Sequence, residues 1–288
     1  MLAIYKRELR SLFNSMIAYI FIAIYILIFA IYFRYYNLER GVTTVGYPTL
    51  YGCYFCFFLF SILTMKSLPE ERKEKIDQLL YTSPVSVPRI VLGKYFAMCT
   101  VFAVVIALLA TTPIVVKSLG MGMLLVDYTS LLAYFLLGCV YIAICMFISS
   151  LTESQIISAI ISLVTIFVLE YFSVFAAVLS TEPYVSLIGF ILVAALVGLL
   201  CGLFTKNSTF GFTIGIVFSL VVLIVYMVNQ NLFSGAIQKV FGVLPPSNYL
   251  LNFIYYYMFD IKTIIYYISV IGLFVFFTVQ TIQKRRYS

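Results

Sequence analysis

Glu70, Glu71, Arg72, Lys73, Glu74, Lys75 and Asp77 crowd into one short stretch of a chain whose charged residues make up only 10%. An apolar run precedes them and another follows. Two uses fit such a cluster. It is either a solvated loop whose charge sets membrane topology, or a polar-faced helix that a partner grips. Elsewhere the chain offers little that could do chemistry. There is no His, which removes the commonest general base and the commonest metal ligand. That argues against most hydrolases and metalloenzymes. Cys53 and Cys56 have the C-x-x-C spacing of metal or redox sites, but the plainer reading is two small hydrophobes in a helix. Glu170 is the single carboxylate placed well inside an apolar run. A charge there costs at least a few kcal/mol, so it is expected to be protonated, paired or facing a cavity. It serves either a transport pathway or a helix contact, and the helix contact is favoured. No catalytic residue and no metal site is expected.

The elements around these residues are apolar. The 288 residues are 64% hydrophobic, far above a soluble domain. Several runs approach or exceed the roughly 18 apolar residues of a membrane span. They are continuously apolar, not alternating, which selects helices over a barrel. The expected fold is therefore all-α: a polytopic transmembrane helix bundle of about eight spans. These lie near 16–36, 49–65, 95–116, 128–150, 157–180, 184–204, 210–228 and 262–282. The first run lacks a small-residue cleavage pattern and reads as a retained span. Trp is absent, and the 24 Tyr can take the interfacial role.

Charge orients the spans. Of the 18 Lys and Arg, only Arg34, Arg40, Lys117, Lys239 and Lys262 fall on the side opposite the termini. The positive-inside rule then makes both termini and the 66–94 connection cytoplasmic. The net charge of +7 is explained by this asymmetry, and no nucleic-acid partner is expected. Residues 1–15 set Leu2, Tyr5, Leu9, Leu12 and Phe13 at helical spacing, with Lys6, Arg7 and Arg10 largely elsewhere on the wheel. That reads as an interfacial helix on the membrane. Residues 229–261 are too polar to span and too apolar to float, so short helices at the outer leaflet are expected, broken at Pro245 and Pro246.

The charged stretch has helix signals of its own. Pro69 fits a first turn, Glu70, Glu71 and Glu74 suit its positive end, and Lys75 follows Glu71 by four. Ile76, Leu79 and Leu80 make an apolar edge, and Pro84 and Pro88 end the regular structure.

The segment "EERKEKIDQLLYTSPVSVPRIVLGKYFA", Glu70 to Ala97, resembles the region between the second and third helices of ABC-type-2 permeases. There a Glu-rich start is followed by Leu-Leu, Ser-Pro and Gly-Lys, here Leu79, Leu80, Ser83, Pro84, Gly93 and Lys94. "YKRELRSLFNSMIAYIF" resembles that family's elbow helix. "SSLTESQIISAIIS" is similar to its turn into the fifth helix, and "YYISVIGLFVFFTVQTIQKRR" to its last helix and basic tail. Within the family the likeness is to permeases of the gliding-motility and nitrous-oxide-reductase-maturation groups.

The resemblance implies a single transmembrane permease domain, 1–288, with an elbow helix at 1–15 and a cytoplasmic coupling segment at 66–94. The family's plan has six spans, so the transmembrane hairpin at 184–228 is extra. It implies that Glu70, Glu71, Arg72, Lys73, Glu74, Ile76, Leu79 and Leu80 dock on a separate ATPase subunit. ATP and Mg would be bound there, because this chain lacks a G-x-x-x-x-G-K-[ST] loop. It also implies a second permease copy, identical or not, membrane lipids as partners, and a place in the cytoplasmic membrane. The expected function is the permease subunit of an ATP-driven exporter of an amphipathic substrate. The competing readings are an ion-gradient-driven transporter and a non-transporting scaffold or sensor coupled to an ATPase.

Overall fold

The computed structural model describes residues 1–74, 85–120, 124–205 and 208–287, and among them every regular element is helical. The helices are α1 (Leu2–Asn14), α2 (Ile17–Phe33, continued by a π-helical turn, Arg34–Glu39), α3 (Gly46–Thr64) and α4 (Pro69–Lys73). Next come α5 (Val87–Leu109), α6 (Thr112–Ser118), α7 (Leu124–Leu151), α8 (Gln155–Val178), α9 (Pro183–Thr205) and α10 (Ser208–Val228). A 3-10 turn (Gln230–Phe233) leads to α11 (Ala236–Val243), α12 (Pro246–Tyr255) and α13 (Ile261–Tyr287). Six helices among the described residues are long and apolar enough to cross a membrane. A seventh span results if the bent pair Gly46–Gly52 and Tyr54–Lys73 is counted as one, and Pro183–Leu199 forms a shorter apolar helix. The chain is thus a polytopic helical membrane protein, close to the expected span count.

Two compact units divide the chain: Met1–Val168 with Pro246–Ser288, and Leu169–Pro245. In the first, α7 is the central helix, packed against α3, α5, α12 and α13. Its core is aromatic. Phe60 stands edge-on to Phe102 with ring centres 5.1 Å apart, and Phe21, Tyr25, Tyr134 and Tyr141 close around them. The hydroxyls of Tyr25 and Tyr134 hydrogen-bond to each other, so two buried phenols satisfy one another inside an apolar core. Gly138 lies against the Phe102 ring, where no side chain would fit. Pro113 opens α6 just after α5 ends, which is the break expected of a proline in a long apolar run. Met16, at φ 60°, holds the left-handed turn that separates α1 from the first long helix.

In the second unit, α9 and α10 pack along each other. Gly198 makes this approach feasible: a Cβ there would stand 2.7 Å from the Gly211 carbonyl oxygen and 2.8 Å from the Gly215 Cα. Small residues at a helix crossing let backbones meet, which is how membrane helices associate without a hydrophobic drive. The following segment folds back onto the start of this hairpin. Gly235 N–H donates to the Thr181 carbonyl at 3.1 Å, and Gln238 Nε2 donates to the Leu179 carbonyl at 2.7 Å. Phe241 meets Phe172 edge-on at 4.4 Å. Pro245 and Pro246 do break the 229–261 segment, and the border between the units falls between them.

Candidate functional site

α4 begins at Pro69 and places Glu70 and Glu71 in its first turn. Glu71 is turned inward. Its carboxylate accepts from Lys94 Nζ at 2.9 Å and from Arg7 Nη2 at 2.5 Å. Glu8, on α1, accepts from the same two cations, each at 2.9 Å. Lys94 is 1% exposed, and its third proton goes to the Ser67 carbonyl at 2.9 Å. An ammonium has three donors, and here all three are used. Two cations face two carboxylates, so the cluster is neutral as a whole. A buried charge is tolerable only when paired and hydrogen-bonded in this way.

Gly93 explains how α1 comes close enough. A Cβ at that position would lie 3.2 Å from Ile4 Cγ2 and 3.4 Å from the Met1 carbonyl oxygen. The Gly-Lys pair therefore has two jobs: the glycine admits the elbow helix, and the lysine bonds its carboxylate.

The two acids are unequal. Burial pushes the Glu8 carboxyl up, but Lys94 and Arg7 outweigh it and hold the group below its ordinary value. For Glu71, burial and the neighbouring Glu8 charge outweigh Lys94 and Arg7, so it sits above its ordinary value. Glu8 is thus the fixed anion and Glu71 the more readily protonated one.

Arg72 points the other way round the helix and reaches the end of α7. It donates to the Ser150 carbonyl and, at 2.7 Å, to the Thr152 carbonyl. Arg285 of α13 donates to the Leu151 carbonyl at 2.9 Å. The last carbonyls of a helix have no partner within it and form the negative end of its dipole. Two guanidiniums from distant segments cap that end. The short segment 69–74 is thereby bonded to α1, to α5 and to the turn between α7 and α8.

Among the charged residues assigned to docking, Glu70 pairs with Lys66 at 3.3 Å, while Lys73 and Glu74 face outward. Ile76, Leu79 and Leu80 lie outside the described residues. Lys6 and Arg10 are exposed on α1, and Arg7 beside them reaches into the cluster. Glu170 is in the second unit and 4% exposed. Sequence reasoning missed Glu8 and the role of Lys94. A signal existed: Glu8 lies on the same stripe of α1 as Tyr5 and Leu12, a lone carboxylate on an apolar face.

A family model described as "ABC-2 family transporter protein" matches residues 33–186. The match covers more than half of the chain and includes α4, Lys94 and the α7–α8 turn. The chain belongs to the ABC-2 transporter family and is a membrane permease of an ABC transporter. No curated protein and no solved structure matches it.

Proposed function

We propose that this chain is the permease subunit of an ATP-driven exporter, working with a separate ATPase subunit and a second permease copy. The ATPase binds ATP and Mg; this chain supplies the spans and the docking segment. Both termini and the 66–94 connection face the cytoplasm, as the charge asymmetry favours. Ile76, Leu79 and Leu80 seat in a groove of the ATPase, with Lys73 and Glu74 at the rim. The observation that carries the reading is the bonding of Glu71 and Arg72 described above. A push on residues 69–74 reaches α1, α5 and the α7–α8 turn together, which is what a coupling element must do. The cargo is amphipathic, in keeping with the apolar spans.

The test is co-purification of the ATPase with permease variants that insert normally. Burying two or three apolar side chains contributes several kcal/mol, at about 1.5–3 kcal/mol each. Leu79→Asp with Leu80→Asp is therefore expected to abolish capture, and reversing Lys73 to weaken it slightly, since rim charges mainly set orientation and on-rate. Full capture by the double Asp variant would leave the segment as a solvated loop and remove the proposal. Labelling of a single Cys at position 73 from outside intact cells would overturn the orientation.

A further inference from the structure

A cavity of about 740 Å³ opens beside α1, lined by four cations, Lys6, Arg7, Arg10 and Lys66, together with Ser11 and Asn14. Among the described residues no carboxylate lines it. Arg7 and Lys66 already hold acids at their other sides. Lys6 and Arg10 are exposed and stand four residues apart on one helix, where like charges repel. Three basic residues along one helical face, plus Lys66 just past α3, make a concave cationic surface in which Lys6 and Arg10 have no acidic partner among the described residues. A bound anion with several acceptor oxygens would relieve it. The cavity is also far larger than a bare phosphate and falls within the size of small-ligand sites.

Its place in the chain selects the ligand. α1 ends at Asn14 and α2 begins at Ile17, so Arg10 and Lys6 lie about 6 and 12 Å from the end of α1 that adjoins the first long apolar helix, at ~1.5 Å per residue. Directly after α1 come Met16, Tyr19 and Ile20, exposed by 69%, 58% and 52%. Cationic and amide donors therefore sit next to bare apolar surface, the layout that fits a phosphate ester with acyl chains. We propose that this cavity binds the phosphate-ester headgroup of an anionic membrane lipid, with Lys6 and Arg10 as its principal cations. The inference rests on the membrane class of the protein and not on ATPase docking. Serine and asparagine donors at Ser11 and Asn14 complete the headgroup contacts.

The experiment measures thermal unfolding of the full chain in detergent on titration with phosphatidylglycerol, phosphatidylcholine or sn-glycerol 3-phosphate. Phosphatidylglycerol is expected to raise the midpoint of the wild type, and the other two to leave it unchanged. Lys6→Gln with Arg10→Gln should weaken the phosphatidylglycerol response about 30-fold, from the usual contribution of two cations near an anionic surface. Lys6→Arg with Arg10→Lys should restore it, which separates charge from folding. The charge-matched pair Arg89→Gln with Lys284→Gln should respond like the wild type. An equal loss in that control would mean diffuse attraction and no site. An equal response to glycerol phosphate would assign the cavity to a soluble ester. Either result, or an undiminished response in the Lys6/Arg10 variant, overturns the proposal.

Discussion

In the first unit Lys94 holds Glu8, 86 positions earlier, and Arg72 holds the Thr152 carbonyl, 80 positions later. In the second, backbone meets backbone where Gly198 approaches Gly211 and Gly215 across one hairpin. Beyond its aromatic core, the first unit has directional, charged bonds that join segments far apart in sequence. The other is held by a local crossing of small residues. Charged bonds between distant segments can pass a displacement from one segment to another. A glycine crossing holds two neighbouring helices and passes little beyond them. The family match covers α4 and Lys94 and stops at residue 186, just inside the hairpin helix α9.

The comparison is broken most severely by Lys94→Met, which would leave two buried carboxylates, Glu8 and Glu71, sharing the single guanidinium of Arg7. Removing one partner of a buried ionic cluster costs about 3–5 kcal/mol. A large fall in the midpoint of thermal unfolding in detergent is expected. Adding Glu71→Gln should recover much of it, because Glu8 and Arg7 then face each other one to one. A wild-type midpoint for the single variant would show that the cluster carries no weight.

Gly198→Leu comes next. Its side chain would have to enter the Gly211–Gly215 backbone, which cannot yield as a flexible side chain would, and overpacking costs about 1–3 kcal/mol. Limited proteolysis should then cut within 184–228 while capture of the ATPase stays unchanged. Loss of capture in this variant would mean that the two units are not separable in function.

The smallest effect concerns pH. Glu71 is raised above its ordinary value of 4.5, so the folded state holds its proton more tightly than the unfolded one. Its contribution is present below 4.5 and is lost as pH rises through the raised folded value. Glu8 is depressed, so its contribution is present above 4.5 and disappears only as pH falls through its lower folded value. Acidifying from neutral toward 4.5 should therefore raise stability slightly in the wild type, and Glu71→Gln should flatten that rise. An identical slope in both proteins would remove Glu71 from the account.

Much of the architecture was legible because apolar length and charge asymmetry act through the lipid solvent, which leaves a one-dimensional record. The helix start at Pro69 and the break at Pro245–Pro246 each follow from a property of a single residue. The cluster was less legible. Lys94 read as a family motif, yet its partners lie on α1 and α4, and no local pattern joins Glu8, Glu71 and Lys94. Arg72 read as one of the docking residues. It also donates to main-chain carbonyls at the end of α7, which have no residue type and so leave no trace in a sequence.

The central claim is that residues 69–74 pass motion from the docking site to the bundle. The direct test is Arg72→Ala in the reconstituted complex with the ATPase, with spin labels at Thr43 and Lys117. The variant is expected to capture the ATPase like the wild type, because Arg72 is engaged with the carbonyls at the end of α7. Nucleotide should change the label distance in the wild type and leave it unchanged in the variant. A nucleotide-dependent change of wild-type size in Arg72→Ala would contradict the account.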